Sequence, residues 1–83
     1  MSQSVQVKLF AVARQIAGAD RVDLTLADGA TVADLREALL AQLPALRPMG
    51  ALLRFAVNSE YASDAQAISS GAEIACIPPV SGG

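Results

Sequence analysis

One segment restricts the fold of this chain more than any other. It is TVADLREALLAQLP, from Thr31 to Pro44 of an 83-residue sequence. Val32, Leu35, Leu39 and Leu43 recur at the spacing of one helix face, with Leu40 on the flank and Arg36 and Glu37 outside the stripe. Thr31 followed by Asp34 has capping-box spacing and puts an acid at the positive helix end. Pro44 stops the helix. A single apolar stripe cannot bury itself. It needs another layer to lie on, and most of the remaining sequence reads as strands.

Val5, Val7 and Leu9 alternate with Gln6, Lys8 and Phe10, which predicts a first strand over 4–10. AVARQIAG at 11–18 predicts a short helix closed by Gly18. RVDLTL at 21–26 alternates cleanly, and the next three residues, Ala27-Asp28-Gly29, are a turn signal. After the main helix, ALRPMGALL at 45–53 reads as an irregular connection. LRFAVN at 53–58 predicts a strand, Asn58-Ser59 a turn, 60–62 a short edge strand, 64–70 a polar loop, and 73–77 the final strand. Pro78 and Pro79 have no backbone N–H, so the ladder cannot run through them. The expected architecture is α+β: a mixed β-sheet covered by one main helix, formed by residues 1–77, with an extended C-terminal tail over 78–83.

At 53% hydrophobic and 17% charged residues the chain is no disordered segment. So small a core cannot hide that much apolar surface, and a partner interface is one outlet. Phe10, Met49, Leu52, Leu53 and Phe55 divide between core and such a patch. The six basic residues are scattered through a chain of net charge −2, so no nucleic acid is expected as a partner. No apolar run reaches the ~18 residues of a membrane span, and the start lacks the pattern of a secretory signal. With a single cysteine, Cys76, the expected location is a reducing cytoplasm.

The absence of histidine removes the commonest general base and metal ligand together, and no metal site is expected. Cys76 alternates with Ile74 on the last strand, which argues for packing rather than nucleophilic chemistry. Asp20, Asp23, Asp28 and Asp34 do not match a calcium loop. Lys8 and Arg14 read as solvated surface charges, with pairing to a partner's acids the alternative.

What remains is the end of the chain, IPPVSGG. Two prolines bias it toward extended conformations and reduce the entropy lost when it enters a partner. Gly82 and Gly83 carry no Cβ and fit a channel too narrow for other residues. Past Glu73 the terminal carboxylate is the only charge. These features suit a carboxyl group presented to another protein's active site; a frayed terminus is the plainer alternative.

VKLFAVARQIAG, TVADLREALLAQLP, FAVNSEY and IPPVSGG, in this order along nearly the whole chain, resemble the small, sulfur-carrier subunits of molybdopterin synthase. The resemblance implies the ubiquitin-like β-grasp fold, with first and last strands side by side in the sheet centre. It implies a cycle on Gly83: adenylation by a ubiquitin-activating-like adenylyltransferase that uses ATP, conversion to a thiocarboxylate by a sulfur donor protein, and transfer of sulfur to cyclic pyranopterin monophosphate to form the dithiolene of molybdopterin. The partner is the large synthase subunit, two small chains with two large. Gly83 bears the sulfur, Gly82 is the slender neck, and Pro78, Pro79, Val80 and Ser81 form the inserted arm. The chain itself binds no cofactor and supplies no acid or base. Gln15, Ala72 and Cys76 depart from the family, which often has glutamate, aspartate and an aromatic there. Alternatives keep the fold and change the client: a sulfur carrier for thiamine or another pathway, a ubiquitin-like modifier joined to lysines, or an interaction module with an idle tail.

Overall fold

The computed structural model describes residues 1–79. Its elements are β1 (Ser2–Leu9), α1 (Ala11–Ala17), β2 (Arg21–Ala27), α2 (Val32–Gln42), a 3-10 segment (Pro44–Leu52), β3 (Arg54–Val57), β4 (Glu60–Tyr61) and β5 (Ile74–Ile77). They form one sheet in the order β2-β1-β5-β3-β4. β1 runs antiparallel to β2 and parallel to β5, and β3 is antiparallel to both β5 and β4. First and last strands are thus neighbours at the centre, the arrangement the resemblance implies.

Period-two alternation decides which sheet face is covered. Val5, Val7 and Leu9 of β1, Leu24 and Leu26 of β2, Phe55 and Val57 of β3, and Ile74 and Cys76 of β5 are buried on one side. α2 lies on that side with Val32, Leu35, Leu39 and Leu40 in the core. Its capping box forms as the sequence predicts: the Asp34 amide donates to Thr31 Oγ1 at 3.4 Å, and the Thr31 amide donates to Asp34 Oδ2 at 2.9 Å. α1 ends at Gly18, whose φ of 69° is left-handed.

The structure departs from the sequence reading in three places. The 3-10 helix occupies most of the stretch expected to be irregular, with Leu46 buried beneath it. It packs so closely on α2 that a Cβ on Gly50 would stand 2.6 Å from Leu40 Cδ1. The loop over 64–70 is not merely polar. The Val32 and Ala33 amides donate to the Gln66 and Asp64 carbonyls, the Ile68 amide donates to the Ala30 carbonyl, and Ile68 is 3% exposed. Three of its backbone groups are thus paired with the segment that leads into α2, and Ile68 joins the core.

Arg36 is the third departure. The helical stripe put it outside, yet its side chain is only 15% exposed. One guanidinium nitrogen donates to the carbonyls of Gly50 at 2.6 Å and Leu53 at 2.7 Å, and the other meets Asp64 Oδ1 at 2.8 Å. The guanidinium also lies 5.1 Å from the Phe55 ring centre. A planar, multiply donating group can tie three segments at once, which a stripe count does not reveal.

Candidate docking face and tail root

β5 connects the core to the tail. It lies between β1 and β3, so two ladders hold it. Ile74 and Cys76 point inward, and Ala75 and Ile77 are half-buried on the opposite face. Beyond Ile77, Pro78 is buried and Pro79 exposed. Both lack the N–H that would prolong the pairing. The tail positions Val80, Ser81, Gly82 and Gly83 lie outside the described residues.

The register assembles an apolar patch on the sheet face opposite α2. Lys8, Ala75, Ala56 and Tyr61 form one row across β1, β5, β3 and β4. Ile77 pairs with Arg54 in β3, on the same face. Tyr61 is 64% exposed and Phe10 46%. Phe10, Ala56 and Ala75 line a concavity of about 180 Å³ with Lys8, Ser59 and Glu73. Large apolar side chains this exposed, beside half-buried alanines and Ile77, are what a protein-binding patch looks like.

Phe10 owes its exposure to the backbone. Leu9 points inward, so Phe10 points outward. The chain then turns into α1 through Ala11, whose φ of 52° is left-handed. An L-residue there costs about 1–2 kcal/mol, and such strain is characteristic of places where the surroundings enforce a geometry. Here it turns the chain into α1, which packs on the core through Ala13, while Phe10 stays on the open face.

The five apolar residues singled out from the sequence separate accordingly. Leu53 and Phe55 are core, Met49 is half-buried against it, Leu52 is exposed on the 3-10 segment, and Phe10 belongs to the open face. Sequence reading missed Tyr61, Ala56, Ala75, Arg54 and Ile77. The signal for Ile77 was present: if Ile74 and Cys76 face inward, Ile77 faces outward. The signal for Tyr61 was not, because it depends on how β4 registers with β3.

Charges surround the patch in exposed positions. Lys8 Nζ lies 4.0 Å from Glu73, and Arg21 reaches Gln6 Oε1 at 3.0 Å. Cys76 has no exposed surface, and burial pushes its thiol up to about 11, partly offset by the positive charge of Arg36. A thiol that stays protonated is no nucleophile at neutral pH. Because Cys76 faces inward, outward contact next to the tail falls to Ile77. Among the described residues no three His, Cys, Asp or Glu side chains gather as a metal site, and no helix is long and apolar enough to cross a membrane. What the described residues offer is an exposed apolar surface and a tail root fixed by two ladders.

Comparison with known proteins agrees with this geometry. The chain is 40% identical over 81 residues to the molybdopterin synthase sulfur carrier subunit of Chlamydomonas reinhardtii, covering 95% of this chain and 98% of that one. The crystal structure of SAMP1 from Haloferax volcanii superposes with a TM-score of 0.82 at 36% identity, covering 96% of this chain and 99% of that one. A ubiquitin of Caldiarchaeum subterraneum, 16% identical with full coverage of both chains, has a TM-score of 0.69 and shares the fold alone. The ThiS family model matches residues 7–83. Strand order and these matches agree: the chain belongs to the ThiS family and has the ubiquitin-like β-grasp fold.

Proposed function

We propose that this chain is the sulfur-carrier subunit of molybdopterin synthase, with Gly83 as the residue that bears the sulfur. The observation that carries the reading is the place where the tail begins. It leaves the central strand of the sheet at half-buried Ile77, on the face where Phe10 and Tyr61 are exposed. A protein seated on that patch lies within reach of the tail. Six residues from Pro78 to Gly83 span roughly 20 Å when extended. Similarity along nearly the full length, at 40% identity, to a sulfur carrier subunit supports the same reading.

The chemistry follows from a carboxylate's weakness as an acyl donor. A ubiquitin-activating-like enzyme joins the Gly83 carboxylate to the α-phosphorus of ATP and releases pyrophosphate. Sulfur on a protein-bound donor then attacks the acyl carbon and displaces AMP; cleavage of the bond between that sulfur and its donor, by a thiol where the donor is a persulfide, frees a thiocarboxylate, which is a softer and better nucleophile than the carboxylate. In the pocket of the large subunit that sulfur attacks a carbon of cyclic pyranopterin monophosphate, and water then cleaves the acyl–sulfur bond, leaving the sulfur on the pterin and regenerating the Gly83 carboxylate. This chain's residues contribute position: the apolar face docks, the two ladders on β5 fix the root, and Pro78 and Pro79 stiffen the arm. The assembly is two small and two large subunits, working in the cytoplasm, with no cofactor held by the small chain.

The test is intact mass after co-expression with the activating enzyme, followed by reaction with the large subunit and pterin precursor. An oxygen-for-sulfur mass gain confined to Gly83 and formation of dithiolene product are expected. Unmodified Gly83, or a charged chain that yields no product, refutes the reading. The similarity to SAMP1 favours a second reading, a modifier whose Gly83 is joined to lysines. Stable isopeptide ladders in extract would select it over sulfur transfer.

A further inference from the structure

Arg54 stands apart among the cations of the docking face. It pairs in register with Ile77, the last strand residue before the tail, and is exposed on the same face. Its guanidinium lies over the Tyr61 ring, 5.4 Å from the centre. Among the described residues no carboxylate forms a salt bridge with it. Asp64, one residue past Ser63, is taken by Arg36 at 2.8 Å. Arg54, Tyr61 and Ser63 wall an open notch of about 330 Å³, with Arg36 and Phe55 at its back.

We propose that Arg54 is the specificity-determining charge of the docking face, and that this notch receives a carboxylate side chain from the protein that takes the tail. The inference rests on the proposed function for its partner. Asp64 neutralises Arg36, so Arg54 supplies the net positive charge that biases the notch toward an anion. Arg36 spends its hydrogen bonds internally, whereas Arg54 keeps its planar donor fork free for two oxygens. Stacking on Tyr61 holds that fork before binding, so less side-chain entropy is lost when the complex forms. The notch is continuous with the apolar patch through Tyr61, so its occupant arrives on the same protein surface that covers Ile77. An acid at that position also excludes partners lacking one, because burying Arg54 unpaired is costly.

The test uses the full chain and the large synthase subunit of the same organism, with affinity measured by calorimetry between roughly 50 and 300 mM salt. Arg54→Glu should weaken binding about 100-fold or more and Arg54→Met about tenfold, both with a flatter salt dependence. Arg47→Glu, on the 3-10 segment, should change affinity less than about threefold, since exposed charges off the interface are screened. Thermal unfolding of Arg54→Met should stay within about 2 °C of the unsubstituted chain, separating docking from folding. Arg54→Glu binding as tightly as the unsubstituted chain, or an unchanged salt dependence, overturns the inference and leaves the proposed function standing. Failure of the unsubstituted chain to bind the large subunit overturns both.

Discussion

Replacing Arg36 with methionine isolates what one half-buried guanidinium does for this fold. Methionine keeps the packing of the side-chain stem and removes every donor. The carbonyls of Gly50 and Leu53 lose bonds of 2.6 and 2.7 Å from a charged group. Each such loss costs about 1.5 kcal/mol or more where the acceptor is shielded from water. The contact with the Phe55 ring adds about 0.5 kcal/mol. The Asp64 partner is 60% exposed, so that ion pair adds at most ~0.5 kcal/mol. The sum is about 3–4 kcal/mol, against roughly 4–12 kcal/mol for a domain of this length. Urea unfolding followed by circular dichroism should show this as a lower midpoint with an unchanged slope. Arg36→Lys should recover less than half of the loss, because one ammonium cannot reach two carbonyls and Asp64 together. Asp64→Asn should cost no more than the small pair term. A loss below ~1 kcal/mol for Arg36→Met, or full recovery by lysine, would refute the account of Arg36 as the tie between α2, the 3-10 segment and β3.

Four further outcomes follow from the structure and the tail. Cys76 should resist thiol reagents in the native chain and react fully once unfolded; modification of the native chain at neutral pH would contradict its burial. Because burial raises that thiol from 9.0 to about 11, its stabilising contribution is complete below pH 9 and lost as the pH rises through about 11. The unsubstituted chain should therefore lose about 2 kcal/mol relative to Cys76→Ala over that interval in urea titrations, at 1.36 kcal/mol per unit. Ala11→Gly should gain about 0.5–1 kcal/mol, since relief of the left-handed strain exceeds the added unfolded-state entropy; a less stable variant in thermal unfolding would show that Ala11 is not strained. Gly82→Val should abolish sulfur transfer while leaving the melting temperature unchanged, and normal turnover by that variant in a synthase assay would count against a narrow channel.

Much of the architecture was legible in the residues because each element carries its own local physics. The 3.6-residue stripe and capping box marked α2, alternation marked the strands, Gly18 closed α1, and Pro78 with Pro79 ended the last strand. The docking face was legible only in part. Phe10 was among the residues offered for it, but nothing local separates Phe10 from Phe55, which is core. Hydropathy is a property of a residue, whereas exposure depends on which elements cover it.

By itself, then, the sequence determined the strands, the two α-helices, their order, and the stop that Pro78 and Pro79 put to the last strand. Tertiary structure decided the rest. It drew Arg36 inward to satisfy carbonyls more than ten residues away, made Ile68 part of the core through a loop that reads as polar, and set Tyr61, Ala56, Ala75 and Ile77 in adjacent rows across three strands. The reason is that periodicity reports the face of one element, while a surface assembled from several strands exists only once their registers are set.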